Sequence, residues 1–252
     1  MHLIDNLQDW QKLRRQLPRD QTLGFVPTMG NLHVGHQSLL EICRHNNDLC
    51  VASIFVNPMQ FDRADDFAKY PKTLEADAAL LQKIGVDYCL LPDTQALYPE
   101  GYRFRIEETQ NSLQLEGAHR PGHFNGVLTV VMMLLQLVKP HRSYFGEKDY
   151  QQYQLIRDMV EAFFLDIEII ACPTIREASG LAYSSRNNRL SQAQRELAEK
   201  FAQIFHTLPS CSAIQTALQN LGIKIDYITD HAQRRYAAIY IDDIRLIDNY
   251  AL

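Results

Sequence analysis

Short, wholly apolar runs alternate along this chain with longer stretches in which apolar positions recur every three or four residues. The runs at 23–26, 50–56, 88–91, 143–145 and 167–171 read as strands, and the stretches at 35–46, 73–84, 126–138 and 150–164 read as helices. Strands without polar alternation are covered on both faces. Such strands alternating with helices predict a parallel sheet, a doubly wound α/β domain over residues 1–173. The pattern changes after the segment ACPT (171–174). Helical stretches at 191–208 and 212–221 precede short alternating runs at 223–229, 236–241 and 244–247, which predicts a small α+β domain over residues 174–252.

Composition narrows the function classes. A length of 252 residues allows one or two domains, each with a sizeable core. A formal net charge of −5 gives no support for general nucleic-acid binding. The cysteines Cys43, Cys50, Cys89, Cys172 and Cys211 are dispersed and form no C-x-x-C, which suits reduced thiols in a cytosol better than a disulfide framework. The N-terminus lacks the apolar core of a secretory signal. The longest apolar stretch, 127–138, is well short of the ~20 residues that span a bilayer and reads as a buried helix.

The most informative segment is PTMGNLHVGH (27–36), between a predicted strand and a predicted helix. Residues three apart share a helix face, so His33 and His36 lie together where the helix begins. A helix start offers unpaired N–H groups and partial positive charge, which suit phosphate. Gly30 and Gly35 allow close backbone approach. Taken alone, the same string is also compatible with a loop carrying two surface histidines.

Four further clusters follow. In FVNPMQF (55–61), Asn57 and Gln60 are amides able to hold a polar, uncharged group, or parts of a turn in which Asn and Pro serve geometry only. In FGEKDYQQ (145–152), Gly146 permits close approach, Lys148 seeks phosphate, Asp149 suits a hard cation such as Mg²⁺, and Gln152 shares a helix face with Asp149. The alternative is a helix start at which Glu147 and Asp149 complement the dipole. In REASGLAYSSRN (176–187), hydroxyls beside Arg186 can wrap a triphosphate, or form a solvated loop. HRPGH (119–123) is a polar cluster before a helix, or an ordered surface loop. The first three clusters in all, at 27–36, 55–61 and 145–152, follow predicted strands and are expected to converge on one crevice at the carboxyl ends of those strands.

Together these strings, with YPKTLEAD (70–77), LEGAHRPGHFNGVLTVV (115–131) and the ending RLIDN (245–249), resemble the pantoate–β-alanine ligase family of the H-x-G-H nucleotidyltransferases. The resemblance runs from about residue 3 to 188 in family order. It implies a Rossmann-like N-terminal domain with a smaller C-terminal lid, and a cytoplasmic homodimer. It implies that pantoate attacks the α-phosphate of Mg-ATP to give pantoyl-adenylate, and that β-alanine then displaces AMP. Carried over position by position, Met29, Gly30, His33, Gly35 and His36 line the ATP site, with His36 as proton donor and both histidines stabilising charge on the phosphates. Gly146, Glu147, Lys148 and Asp149 also meet ATP, Lys148 on phosphate and Asp149 near Mg²⁺. Ile175 meets adenine, and Tyr183, Ser184, Ser185 and Arg186 close over the phosphates. Asn57, Gln60, Gln152, Arg120 and His123 hold pantoate and β-alanine.

Departures from the family pattern are Tyr183 in place of a common Met, Ser179 in place of Asp, Lys72 in place of Arg, and a short stretch between Leu221 and Arg245. Two other readings stay open from sequence. One is a nucleotidyltransferase acting on a phosphorylated precursor, which calls for a cationic acceptor pocket where this chain has amides. The other is a catalytically dead binding protein, against which stand the retained Lys148, His33 and His36.

Overall fold

The computed structural model describes residues 1–62 and 64–252. The elements run in the order β1 (His2–Ile4), α1 (Leu7–Gln16), β2 (Leu23–Thr28), α2 (Val34–Asn46), β3 (Leu49–Ile54), α3 (Ala64–Ala68), α4 (Leu74–Ile84), β4 (Tyr88–Leu90), α5 (Thr94–Leu97), α6 (Glu116–His119) and α7 (His123–Val138). Then come β5 (Arg142–Gly146), α8 (Tyr150–Ala162), β6 (Glu168–Cys172), α9 (Gln192–Thr207), α10 (Cys211–Asn220), β7 (Lys224–His231), β8 (Arg234–Ile241) and β9 (Ile244–Ala251). The chain divides into two compact units, Met1–Glu147 with Gln151–Cys172, and Lys148–Tyr150 with Pro173–Leu252.

The first unit is a parallel sheet of six strands in the order β1-β4-β3-β2-β5-β6. Within each strand, side chains alternate between two cores. Leu23, Phe25, Val51 and Leu90 join α7 and α8 on one face, while Val26, Cys50, Ala52 and Cys89 join Leu40 and Cys43 of α2 and Leu81 of α4 on the other. Burial on both faces is why the sequence shows continuous apolar runs. The chain moves outward from β2 to β3 and β4, then resumes on the opposite side at β5. This reversal creates a crevice at the carboxyl ends of the central strands, and the loops after β3, β2 and β5 are those carrying the first three clusters.

β1, α1 and the short helices α3, α5 and α6 lie outside the elements expected from the sequence. β1 has three residues and pairs with β4 at the sheet edge, where exposed side chains leave no periodicity to see. The N-terminus of α7 lies three residues upstream of the expected position 126, because Gly122 at φ +78 sets its entry and His123 is its first residue.

The second unit is an antiparallel meander, β7-β8-β9, packed on α9 and α10. Ala232 and Gln233, at φ 47 and 62, form the two-residue turn between β7 and β8. Two positive φ values in succession match the right-handed twist of a hairpin. Tight turns of this kind are how the short stretch after Leu221 still yields a complete sheet.

Candidate active site

The loop after β2 is bent by Gly30, at φ +76, and Asn31, at φ 49. An added Cβ at Gly30 would lie 3.0 Å from Asp77 Oδ2 and from Ile54, so glycine is required for both backbone and space. Asp77 is buried and accepts the Asn31 N–H at 2.9 Å, the Leu32 N–H at 2.8 Å and the Thr73 hydroxyl at 3.1 Å. One carboxylate therefore fixes the loop that delivers the histidines. Asp77 ends the string YPKTLEAD and has no role among the expected site residues; an acid inside an otherwise apolar helical face is the signal for it.

His33 caps α2. Its Nδ1 accepts the Gly35 N–H at 3.1 Å, and His36 Nδ1 accepts the His33 N–H at 3.3 Å. The rings lie 4.1 Å apart. With both Nδ1 atoms accepting main-chain hydrogens, the neutral rings carry their hydrogen on Nε2. The first turn of α2 contains no acid, so its dipole is left to favour an anion. Met29 links this loop to the next: its sulfur accepts the Gln60 side-chain amide at 3.2 Å. The loops after β2 and β3 do converge.

Asn57 lies at the base of the second loop and is 1% exposed. Its amide nitrogen donates to Gln60 Oε1 and to Gly126 O, each at 3.1 Å, and its oxygen accepts the Met59 N–H at 3.2 Å and the Tyr98 hydroxyl at 3.1 Å. The amide is spent on the fold, and what it presents is Gln60. Gly126 lets α7 approach: a Cβ there would come within 2.3 Å of the Met59 carbonyl. The Gln60 carbonyl accepts from His123 Nδ1 at 2.8 Å and from Arg120 at 3.3 Å. Arg120 can only donate, so at 3.1 Å its contact with His123 Nε2 places the histidine hydrogen on Nδ1. Burial, assisted by the Arg120 charge, lowers the His123 pKa to about 4. Arg120 and His123 thus form a neutral-histidine clamp behind Gln60.

At the start of α8, the sequence singled out Gln152 and passed over Gln151. Gln151 is buried and ties down the chain near residue 114, donating to Asn111 O and Gln114 O at 2.8 Å and accepting the Glu116 N–H at 3.0 Å. Gln152 is half-buried on the neighbouring face. Gly146 closes β5, and a Cβ there would make only an ordinary 3.9 Å contact with Leu39. The turn Glu147–Asp149 follows. Lys148 Nζ lies 3.7 Å from Asp149 Oδ2, a carboxylate left 46% exposed. Among the described residues no three His, Cys, Asp or Glu side chains form a metal cage. A lone accessible carboxylate fits Mg²⁺ held mainly by phosphates, which retains waters and uses one or two protein carboxylates.

In the second unit, the loop 176–187 is built around Arg176. Its guanidinium pairs with Asp248 at 2.7 and 2.8 Å and donates to Gly180 O at 3.1 Å. His206 Nε2 also lies 2.9 Å from Asp248. Burial works to raise the Asp248 pKa, but hydrogen bonds from His206 and Arg176 outweigh it and hold the carboxyl below the usual range. The Tyr183 N–H bonds Ile175 O at 3.1 Å, bringing the two ends of the loop together. Ser184 caps the turn Ser185–Arg189 by accepting the Arg186 N–H at 3.3 Å. The Ser179 hydroxyl is buried without a hydrogen-bond partner among the described residues.

In the first unit a helix N-terminus bearing two Nε2 donors lies beside a clamped amide at the neighbouring strand end, an arrangement suited to an anionic group next to a polar one. Comparison with known proteins identifies the family. A family model described as pantoate-β-alanine ligase matches residues 1–251. A pantothenate synthetase of Legionella pneumophila (strain Lens) is 54% identical over 252 residues, covering all of both chains. One from Coxiella burnetii (strain Dugway 5J108-111) is 52% identical over 247 residues, 98% of this chain and 95% of that protein. The crystal structure of pantoate-β-alanine ligase from Francisella tularensis, complexed with β-γ ATP and β-alanine, superposes with a TM-score of 0.96 at 42% identity over 100% of this chain and 97% of that one. The chain belongs to the pantoate–β-alanine ligase family. Its activity is the ATP-dependent condensation of pantoate with β-alanine. The full-length match to the Legionella protein also shows that the short C-terminal region is shared with that relative.

Proposed function

We propose that condensation proceeds in two steps on the residues described above. A pantoate carboxylate oxygen attacks the α-phosphorus of ATP; a P–O bond forms, the α–β bridging P–O bond breaks, and pyrophosphate leaves. The amine of β-alanine then attacks the acyl carbon, the C–O bond to AMP breaks, and the amine proton is lost. The observation that carries this reading is the double Nδ1 capping of His33 and His36, which supports two neutral Nε2–H donors at a helix N-terminus.

In this reading His33, His36 and Lys148 stabilise the phosphate oxygens, with His36 donating the proton, and the backbone at Met29, Gly30, Gly35, Gly146 and Glu147 lines the nucleotide. Gln60 and Gln152 hold pantoate; Asn57, Arg120 and His123 act by holding Gln60. Ile175 contacts adenine, and Tyr183, Ser184, Ser185 and Arg186 act on the phosphates. Asp149 holds Mg²⁺, which neutralises phosphate charge when bound. The enzyme works as a cytoplasmic homodimer, a reading that rests on family membership and, for the compartment, on five free cysteines. Among the described residues no helix is long and apolar enough to cross a membrane.

The test is pantoate labelled with ¹⁸O in its carboxylate. The adenylate route transfers one ¹⁸O to AMP. Label in inorganic phosphate, with ADP as coproduct, would overturn it in favour of an acyl phosphate.

A further inference from the structure

The turn that carries Lys148 is joined to the far end of the chain. Lys148–Tyr150 groups with Pro173–Leu252 rather than with the sheet it follows in sequence. The join is Asn249 in β9, a buried residue whose Nδ2 donates to the Lys148 carbonyl at 2.8 Å. Its Oδ1 accepts from Arg234 NH1, and the Arg234 guanidinium lies 3.7 Å over the ring of Tyr150. The turn is therefore gripped twice, at the Lys148 carbonyl and at the Tyr150 ring, and the two grips are bonded to each other through one amide. The neighbouring residue does the same for the other loop: Asp248 accepts from both terminal nitrogens of the Arg176 guanidinium. Asn249 closes the set, since its carbonyl accepts Arg176 NH2 at 3.3 Å and its N–H donates to Asp248 Oδ1 at 2.7 Å.

We propose that Asn249 is a positioning residue for adenylate formation, aiming the Lys148 ammonium by fixing the peptide plane that leaves Lys148. The peptide unit is planar, so holding its carbonyl restricts the direction in which the lysine side chain departs. Buried amides that satisfy both ends are costly to leave half-bonded, which suits this position to one geometry. The proposal rests on the assignment of Lys148 to phosphate.

Asn249→Asp separates the two functions of the amide. It keeps an oxygen for Arg234 and sets a second acceptor against the Lys148 carbonyl. In ATP–pyrophosphate exchange with pantoate, its kcat is expected to fall at least about tenfold, the effect of one hydrogen bond lost and one repulsion gained. The KM for pantoate should stay within about threefold. Lys148→Ala should lower kcat by about 10²-fold or more, a typical loss for one preorganised donor. In the Lys148→Ala background, Asn249→Asp should change the rate by less than about twofold, because the group it aims is gone. Equal losses in both backgrounds, or a single variant within about twofold of wild type, would overturn the positioning role. Near-wild-type turnover of Lys148→Ala would instead sink the lysine assignment beneath it. Asn249→Ser, too short to reach Lys148, is the second variant, and must show the same dependence on Lys148 if the aspartate does not fold.

Discussion

The Gln60 corner of the first unit and the loop 176–187 of the second are each locked by one arginine, Arg120 and Arg176, facing very different counter-groups. Arg120 shares its charge among a 29% exposed Asp62, a neutral His123 and a main-chain carbonyl. Arg176 meets Asp248, which is 2% exposed and has His206 as a second partner. The first arrangement draws most of its order from neutral hydrogen bonds and burial. The second depends on a desolvated charge that nothing but its partners can stabilise. Salt bridges of similar length thus carry opposite liabilities, set by burial rather than by distance.

The sharpest way to break this comparison is Asp248→Ala. It strands Arg176 in a site built for a carboxylate, and losing one partner of a buried pair costs about 3–5 kcal/mol. Chemical denaturation followed through the second unit should show that loss; a loss below about 1 kcal/mol would remove the distinction between the loops. Asp248 also gives acid sensitivity: its folded pKa is lowered, so its stabilisation is complete above the ordinary carboxylate range and is lost as pH falls below it.

His123 gives the corresponding effect in the first unit, in a separate window. Its folded pKa of about 4 lies below the ordinary 6.5, so the folded state binds fewer protons than the unfolded chain between those values. Stability is full above 6.5 and declines as pH falls toward 4, by up to about 1.4 kcal/mol per unit. His123→Gln can donate to Gln60 O and accept from Arg120, so it should flatten that slope. An unchanged slope between pH 6.5 and 4 would show that His123 is not the titrating group.

The smallest effect expected is that of Asp62→Asn. A partly exposed partner contributes about 0–1 kcal/mol, and Arg120 keeps its other two contacts. A change in denaturation midpoint as large as that of Asp248→Ala would mean that the corner is electrostatically locked after all.

What the sequence could disclose followed from how local each feature is. H-x-G-H, F-G-E-K-D and S-S-R are contiguous, and the strand and helix periods flanking the first two placed them at strand ends. Asn57 and Gln60 were visible as a pair, but only the approach of α7 at Gly126 shows that Asn57 turns inward while presenting Gln60. Gln151 and Gln152 are indistinguishable by type; the rotation of about 100° between neighbouring helix residues decides which faces the chain near residue 114. Asp77 acts on main-chain N–H groups 45 and 46 residues away, and Asn249 on a carbonyl 101 residues away. Such bonds between a side chain and remote backbone leave no spacing to read.

The most direct test of the account is ATP–pyrophosphate exchange with Mg²⁺ and pantoate in the absence of β-alanine. The two-step route proposed above predicts exchange that is saturable in pantoate and absent without it. Exchange that strictly required β-alanine, or proceeded without pantoate, would contradict it.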